Sequence, residues 1–261
     1  MTPVFLSDLR LNAQISGPQT GPALVLLHGL GQDLTIWDGV VGALPEQRIL
    51  RIDLRGHGHS DSPPKAAGIG AMIHDVERIM DHFGITEAVL AGCSLGGLIA
   101  QGLATKRKDL LRGLVLSNTA TRLGVASHWQ AQIDAVQAGG LEAISQDILS
   151  RWLGRKWQEH PALPRLRAML LATPPEGWAA GAAAIAGTDF YTQTAELTLP
   201  VLVIASGNDL VTPPDLVREM AELIHHHHFV LMRGLGHLPM VEAPEDYANH
   251  LRQFLNGLSP H

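Results

Sequence analysis

Ser94 stands in Gly92-Cys93-Ser94-Leu95-Gly96-Gly97, directly after the apolar run Thr86 to Leu90 and directly before Leu98-Ile99-Ala100. That order reads as strand, sharp turn, helix. Such a turn lifts a serine hydroxyl above a sheet edge at a helix N-terminus, and it brings backbone segments too close for side chains on either side, hence the flanking glycines. A serine becomes a nucleophile only when a base takes its proton and an acid holds that base. The run Leu199 to Ala205 breaks into Ser206-Gly207-Asn208-Asp209, and Phe229 to Met232 breaks into Arg233-Gly234-Leu235-Gly236-His237. Ser94, Asp209 and His237 therefore each follow a strand, in an order suited to nucleophile, acid and base, and the chemistry they suggest is acyl transfer.

Rival acids have weaker placements. Asp215 follows Pro213-Pro214 on an expected helix, no strand delivers Asp189, and Asn118, at the end of the strand Leu114 to Ser117, cannot ionise. Acyl transfer also needs donors aimed at the oxyanion. The strand Leu24 to Leu27 runs into His28-Gly29-Leu30-Gly31, so the backbone N–H groups of Leu30 and Leu95 are the expected oxyanion hole. His28 is expected to bridge loops, and Cys93, beside the nucleophile, to be a small buried hydrophobe.

The elements that must position these groups follow from the apolar runs. Two leading strands fall within residues 3–17, and further strands near 23–27, 48–53, 87–92, 112–117, 200–205 and 228–232, with helices between most of them. The expected fold is α/β, a mostly parallel eight-stranded sheet with helices on both faces, whose strand ends share one crevice. Between about residues 121 and 195 the alternation gives way to Ala-rich helical stretches broken by Gly139-Gly140, Pro161, Pro164 and Pro174-Pro175. The expected organisation is a core of 1–120 and 196–261 with a helical cap of 121–195 over the strand ends. Trp129, Trp152 and Trp178 fall in the cap, with Arg122, Arg151 and Arg155 close to two of them. Trp152 and Arg155 are taken as substrate contacts, at least one arginine or a set of backbone donors being needed to offset desolvation if the substrate is an anion.

Composition narrows the class without identifying it. A chain of 261 residues with 46% hydrophobic content can bury a substantial core, and a net charge of −6 without a Lys/Arg stripe argues against nucleic acid and anionic membranes as partners. Lys106-Arg107-Lys108 reads as a solvated helix end. One cysteine excludes an internal disulfide framework, the first ten residues lack a basic start before an apolar core, and no apolar run spans a membrane, so a soluble, cytoplasmic protein is expected. His57 and His59 lie in a glycine-punctuated loop without a nearby carboxylate or cysteine cluster, and His225-His226-His227-His228 reads as a surface turn entering a strand. Neither is taken as a physiological metal site. Oligomeric state is left open.

Beyond the general alpha/beta-hydrolase pattern, the chain resembles the 3-oxoadipate enol-lactonase family. The likeness lies in Gly92-Cys93-Ser94-Leu95-Gly96-Gly97, in Leu114-Val115-Leu116-Ser117-Asn118-Thr119-Ala120, and in Leu170-Leu171-Ala172-Thr173-Pro174-Pro175-Glu176-Gly177-Trp178 within the cap, and it spans nearly the whole chain. The cap segment is the informative part, since esterases and C–C hydrolases share the triad motifs. The resemblance implies an alpha/beta-hydrolase fold and hydrolysis of 3-oxoadipate enol-lactone to 3-oxoadipate, a step in bacterial aromatic degradation, with no metal or organic cofactor. The four consecutive histidines depart from the family's pattern. Alternatives are an esterase or lactonase for another small carboxylic ester, a low-turnover ligand-binding protein of the same fold, and a cofactor-free haloperoxidase.

Overall fold

In a computed structural model, which describes residues 2–6, 8–62, 67–154 and 157–258, one sheet carries eight strands. They are β1 (Thr2–Phe5), β2 (Arg10–Ser16), β3 (Ala23–Leu27), β4 (Arg48–Ile52), β5 (Ala88–Cys93), β6 (Leu111–Ser117), β7 (Val201–Ser206) and β8 (His227–Met232), in spatial order β1-β2-β4-β3-β5-β6-β7-β8. β1 and β2 pair antiparallel, as do β2 and β4, and every later pairing is parallel. Each residue of β3, β5 and β7 is buried, which is why these segments read as unbroken apolar runs: a parallel strand covered on both faces has no solvent side to alternate with. β8 is an edge strand, and His227 and His228 give it an exposed polar start.

Eleven α-helices are described: α1 (Asp38–Ala43), α2 (Ile69–His82), α3 (Leu95–Lys106), α4 (Ala126–Gly139), α5 (Glu142–Trp152), α6 (Leu163–Ala172), α7 (Pro175–Ala186), α8 (Tyr191–Ala195), α9 (Pro214–Leu223), α10 (Pro239–Glu242) and α11 (Pro244–Gly257). α2 buries Met72, Ile73, Val76, Ile79 and Met80, the three- and four-residue spacing of a one-sided helix, and α9 and α11 follow the same rule. α3 differs. It is buried from Leu95 to Ala104 because it runs behind the sheet's centre under α2, α7 and α8. No helix among the described residues is long and apolar enough to cross a membrane.

Parallel register brings the carboxyl ends of the central strands to one edge. Leu27 lies beside Gly92, Cys93 beside Ser117, Ser117 beside Ile204, and Ser206 beside Met232. The loops leaving β3, β5, β6, β7 and β8 therefore open onto one crevice. Helices α4 to α8 occupy the stretch between β6 and β7. α4 packs on α5 and α7, and α7 also packs on α2 and α3.

Small residues on α7 (PEGWAAGAAAIA) let it approach the sheet's loops closely. A β-carbon at Gly177 would sit 2.2 Å from the Gly56 carbonyl oxygen, and one at Gly181 would sit 2.6 Å from Leu30 Cδ1. The first clash is with backbone, so no rotamer change relieves it. Gly177→Ala is expected to destabilise the protein by about 2–3 kcal/mol in urea unfolding, near the upper end for overpacking. Unaltered stability would show that α7 is free to lift from the Gly56 loop.

Candidate active site

Ser94 adopts φ 54° and ψ −116°, a positive φ that a residue with a β-carbon takes only under constraint. The constraint is visible atom by atom. Ser94 N–H donates to the Ser117 carbonyl at 3.1 Å, while the Ser94 carbonyl accepts from Gly97 N–H at 2.9 Å, Leu98 N–H at 3.1 Å and the Thr119 hydroxyl at 2.8 Å. A β-carbon at Gly92 would stand 2.1 Å from the Gly96 carbonyl oxygen, and one at Gly96 would stand 2.5 Å from the Leu27 carbonyl oxygen. The elbow is thus closed by backbone contacts that only glycine permits.

Asp209 and His237 meet. His237 Nδ1 lies 2.8 Å from Asp209 Oδ2, with both side chains almost wholly buried. Besides this bond, the Asp209 carboxylate accepts from Val211 N–H at 2.7 Å, Thr212 N–H at 3.0 Å, the Thr212 hydroxyl at 2.6 Å and the Asn118 side-chain amide at 2.8 Å. Burial alone would push its pKa up; the charge of His237 and the hydrogen bonds from His237, Thr212 and Asn118 together outweigh it and hold Asp209 below the ordinary carboxylate value. Because Nδ1 is committed to Asp209, Nε2 is the nitrogen left to work as a base.

Asn118 and Thr212 carry no role in the sequence reading, which noted Asn118 only as unable to ionise. Asn118 sits at the end of β6 with φ 47°, and Ser117 Oγ donates to its Oδ1 at 2.9 Å, which orients the amide toward Asp209. The spacing of Asp209 and Thr212, an acid followed by a hydroxyl three residues on, is the signal that marks such a local turn. The rival acids lie elsewhere: Asp215 is exposed in the first turn of α9, and Asp189 is exposed with its carboxylate on the Tyr191 N–H.

A cavity of about 240 Å³ holds Ser94 and His237 on its floor, and Leu30 and Val211 from neighbouring loops. Its roof comes from α4, α5 and α7 through Trp129, Ile148, Arg151, Trp152 and Trp178. Leu95 opens α3, so its N–H has no acceptor inside the helix. Leu30 enters the cavity wall from the loop after β3. Neither N–H has a hydrogen-bond acceptor among the described residues. Trp152 stands where a substrate contact is expected, whereas Arg155 lies outside the described residues. Arg151 is the only Lys or Arg of the described residues that lines the cavity, and only its Nε is paired, with Asp147 at 3.2 Å.

The loop walls are held by buried polar groups. His28 Nδ1 donates to the Gly29 carbonyl at 2.7 Å and its Nε2 accepts from Leu54 N–H at 2.9 Å, which fixes one neutral tautomer and bridges the loops after β3 and β4. Burial lowers its pKa to about 4, and that of His57 to about 3. Asp53 ties the same loops through Leu34 N–H and His59 N–H. His57 is buried and His59 exposed, and no group of three or more His, Cys, Asp or Glu suited to a metal occurs among the described residues. His225 and His226 form an exposed turn, and His227 and His228 are the exposed first residues of β8. Cys93 is buried and its thiol pKa is pushed up by burial and by Asp209. Lys106 and Arg107 are not simply solvated: both pair with Glu77 of α2, and Arg107 also pairs with Asp109. A larger cavity, about 590 Å³, opens at the opposite sheet edge beside Arg112, Leu199, His228 and Phe254, and Ser94 and His237 are not in its walls.

Comparison with known proteins places this geometry in context. The family model for the alpha/beta hydrolase fold matches residues 22–244. 3-Oxoadipate enol-lactonase 2 of Acinetobacter baylyi is 31% identical over 246 residues, covering 93% of this chain and 91% of its own. The crystal structure of the enol-lactonase from Burkholderia xenovorans LB400 superposes with a TM-score of 0.94 at 30% identity, covering 98% of this chain and 100% of its own. A thermophilic esterase from Thermogutta terrifontis, with malate bound, gives 0.91 at 31% identity over 97% and 95% of the two chains.

The folded-state pKa of Asp209 lies below its unfolded value, so its ionisation stabilises the fold above the unfolded carboxylate pKa of about 3.9 and this contribution is lost as pH falls through the folded value. Asn118→Ala removes one donor and raises the folded value toward the unfolded one. The acid-unfolding midpoint of Asn118→Ala, followed by circular dichroism, is expected at higher pH than that of the parent protein. An unchanged midpoint would mean that the amide does not hold the carboxylate.

Proposed function

The chain belongs to the alpha/beta-hydrolase family, and we propose that it is a serine hydrolase opening a small carboxylated lactone, 3-oxoadipate enol-lactone being the substrate favoured by its similarity to enol-lactonases. The observation that carries the proposal is one cavity lined by Ser94, by a His237 already bound to a buried carboxylate, and by Arg151. Ser94, Asp209 and His237 are assigned as nucleophile, acid and base, the N–H groups of Leu30 and Leu95 as the oxyanion hole, and residues 121–195 as a cap. Trp152, Arg151 and, beyond the described residues, Arg155 are assigned to substrate binding.

Ser94 attacks the lactone carbonyl as His237 Nε2 takes its proton, and the oxyanion forms against the N–H groups of Leu30 and Leu95. Such donors act because they are fixed before the charge appears, each contributing a factor of about 10²–10³ to kcat. Collapse expels the ring oxygen as an enolate, a better leaving group than an alkoxide, which stays tethered to the acyl chain and takes a proton from His237. Water activated by His237 then releases the acid, and the enol relaxes to the ketone. Every step uses groups the chain supplies.

Arg151 suits a substrate carboxylate because its terminal amino groups stay available while its Nε pairs with Asp147, which lines the same cavity, and a guanidinium gives a carboxylate charge-assisted hydrogen bonds. The malate-bound esterase relative also supports a small carboxylated ligand. It equally favours a second reading, an esterase acting on another small carboxylic ester. Turnover of enol-lactone beside short p-nitrophenyl esters separates the two: enol-lactone turnover well above the esters supports the lactonase, and ester turnover without lactone turnover supports the esterase.

Ser94→Ala is expected to lower kcat by about 10³-fold or more with the fold intact. Retained activity would move the nucleophile elsewhere. Arg151→Ala is expected to raise KM for the carboxylated lactone by about 10-fold or more, the range for losing a hydrogen bond to a charged group, while leaving KM for neutral p-nitrophenyl acetate nearly unchanged. Equal effects on both substrates would remove Arg151 from carboxylate recognition.

A further inference from the structure

Glu242, the last residue of α10, lies five residues after His237 and is half-buried, yet no step of the chemistry above uses it. Its two carboxylate oxygens serve two different segments. Oε1 accepts from Gly236 N–H at 2.7 Å, the residue immediately before His237, and Oε2 accepts from Gly154 N–H at 3.1 Å, two residues after Trp152. The segments also touch directly: Leu238 N–H donates to the Trp152 carbonyl at 3.2 Å, and a β-carbon at Gly236 would stand 2.5 Å from the Leu153 carbonyl carbon. The chain on either side of His237 is thus laid along the end of α5, which carries Arg151 and Trp152 into the cavity.

We propose that Glu242 is a positioning residue, its carboxylate clamping the His237 loop to the end of α5 so that the base and the substrate-binding side chains keep one register. The inference rests on His237 being the base. A carboxylate fits the task because it only accepts, and here it meets two N–H donors at once. A glutamine in its place would accept one N–H and turn its own amide hydrogens on the other. Burial pushes the Glu242 pKa up, and the bonds from Gly154 and Gly236 work against that rise. With the clamp open, one hydrogen bond between the two segments remains, from Leu238 N–H to the Trp152 carbonyl, and the loop is otherwise held from β7's side by Asn208 on the Leu235 and Gly234 carbonyls. A displacement of the base by about 1 Å is enough to reduce rate by up to 10²-fold without removing any group that touches substrate.

The test compares the parent protein with Glu242→Gln, Glu242→Ala and Ser94→Ala, using p-nitrophenyl acetate well below the melting temperature of each variant. Glu242→Gln, which keeps the size of the side chain, is expected to lower kcat by about 10-fold with KM changed less than about 2-fold, and Glu242→Ala to lower kcat further. A purely structural brace would lower the melting temperature and leave kcat of the folded fraction alone. An inactive Ser94→Ala beside a Glu242→Gln of parental kcat overturns this proposal and leaves the function above standing. So does a raised KM at unchanged kcat, which would limit Glu242 to the cap. An active Ser94→Ala overturns the reading of the site itself, and the role of Glu242 with it.

Discussion

A buried carboxylate bound to a buried imidazole is the interaction on which the rest of this molecule turns. Removing Asp209 from water is unfavourable, and an anion there persists only where enough donors converge on it. Five hydrogen bonds meet that need, and their donors come from three separate strand ends: Asn118 after β6, Val211 and Thr212 after β7, and His237 after β8. Parallel register between β6, β7 and β8 is therefore a requirement of the site. A slip of one residue in any of these strands would move a donor off the carboxylate and leave the anion under-satisfied.

The same edge carries the elbow, and there the constraint is steric. Ser94 is held at positive φ because Gly92 and Gly96 let β5, the start of α3 and the end of β3 pack backbone against backbone, while Gly97 leaves room for the Thr119 side chain that bonds the Ser94 carbonyl. Strain at Ser94 is balanced by the hydrogen bonds around it and by a helix behind it that is buried from Leu95 to Ala104. Above this rigid floor, α4, α5 and α7 supply the tryptophans and Arg151. In the proposed function, chemistry falls to the strand ends and selectivity to helices joined to them through contacts such as Gly56 with Gly177 and the clamp at Glu242.

Much of this was legible in the sequence for identifiable reasons. β3, β5 and β7 announce themselves because strands buried on both faces are apolar throughout, and Ser94, Asp209 and His237 stand out because glycine-rich turns follow such runs. His28 and Cys93 were readable as structural from their neighbours. The donors to Asp209 were less so: Asn118 belongs to a loop without periodicity and only the folded register brings it to the acid, whereas Thr212 carries no signal beyond its three-residue spacing from Asp209. Arg151 enters the cavity from α5, whereas Arg155, the arginine expected from the sequence, lies outside the described residues. Lys106 and Arg107 looked solvated because their partner, Glu77, is on another helix.

The most direct measurement of the central claim is the site of covalent labelling by a fluorophosphonate, read by intact mass and peptide mapping. A single adduct on Ser94 is expected in the parent protein, formed at a rate that collapses when His237 is replaced by alanine, since the proposed serine nucleophile is reactive only while the imidazole takes its proton. An adduct on another residue, or labelling of Ser94 at the same rate without His237, would contradict it.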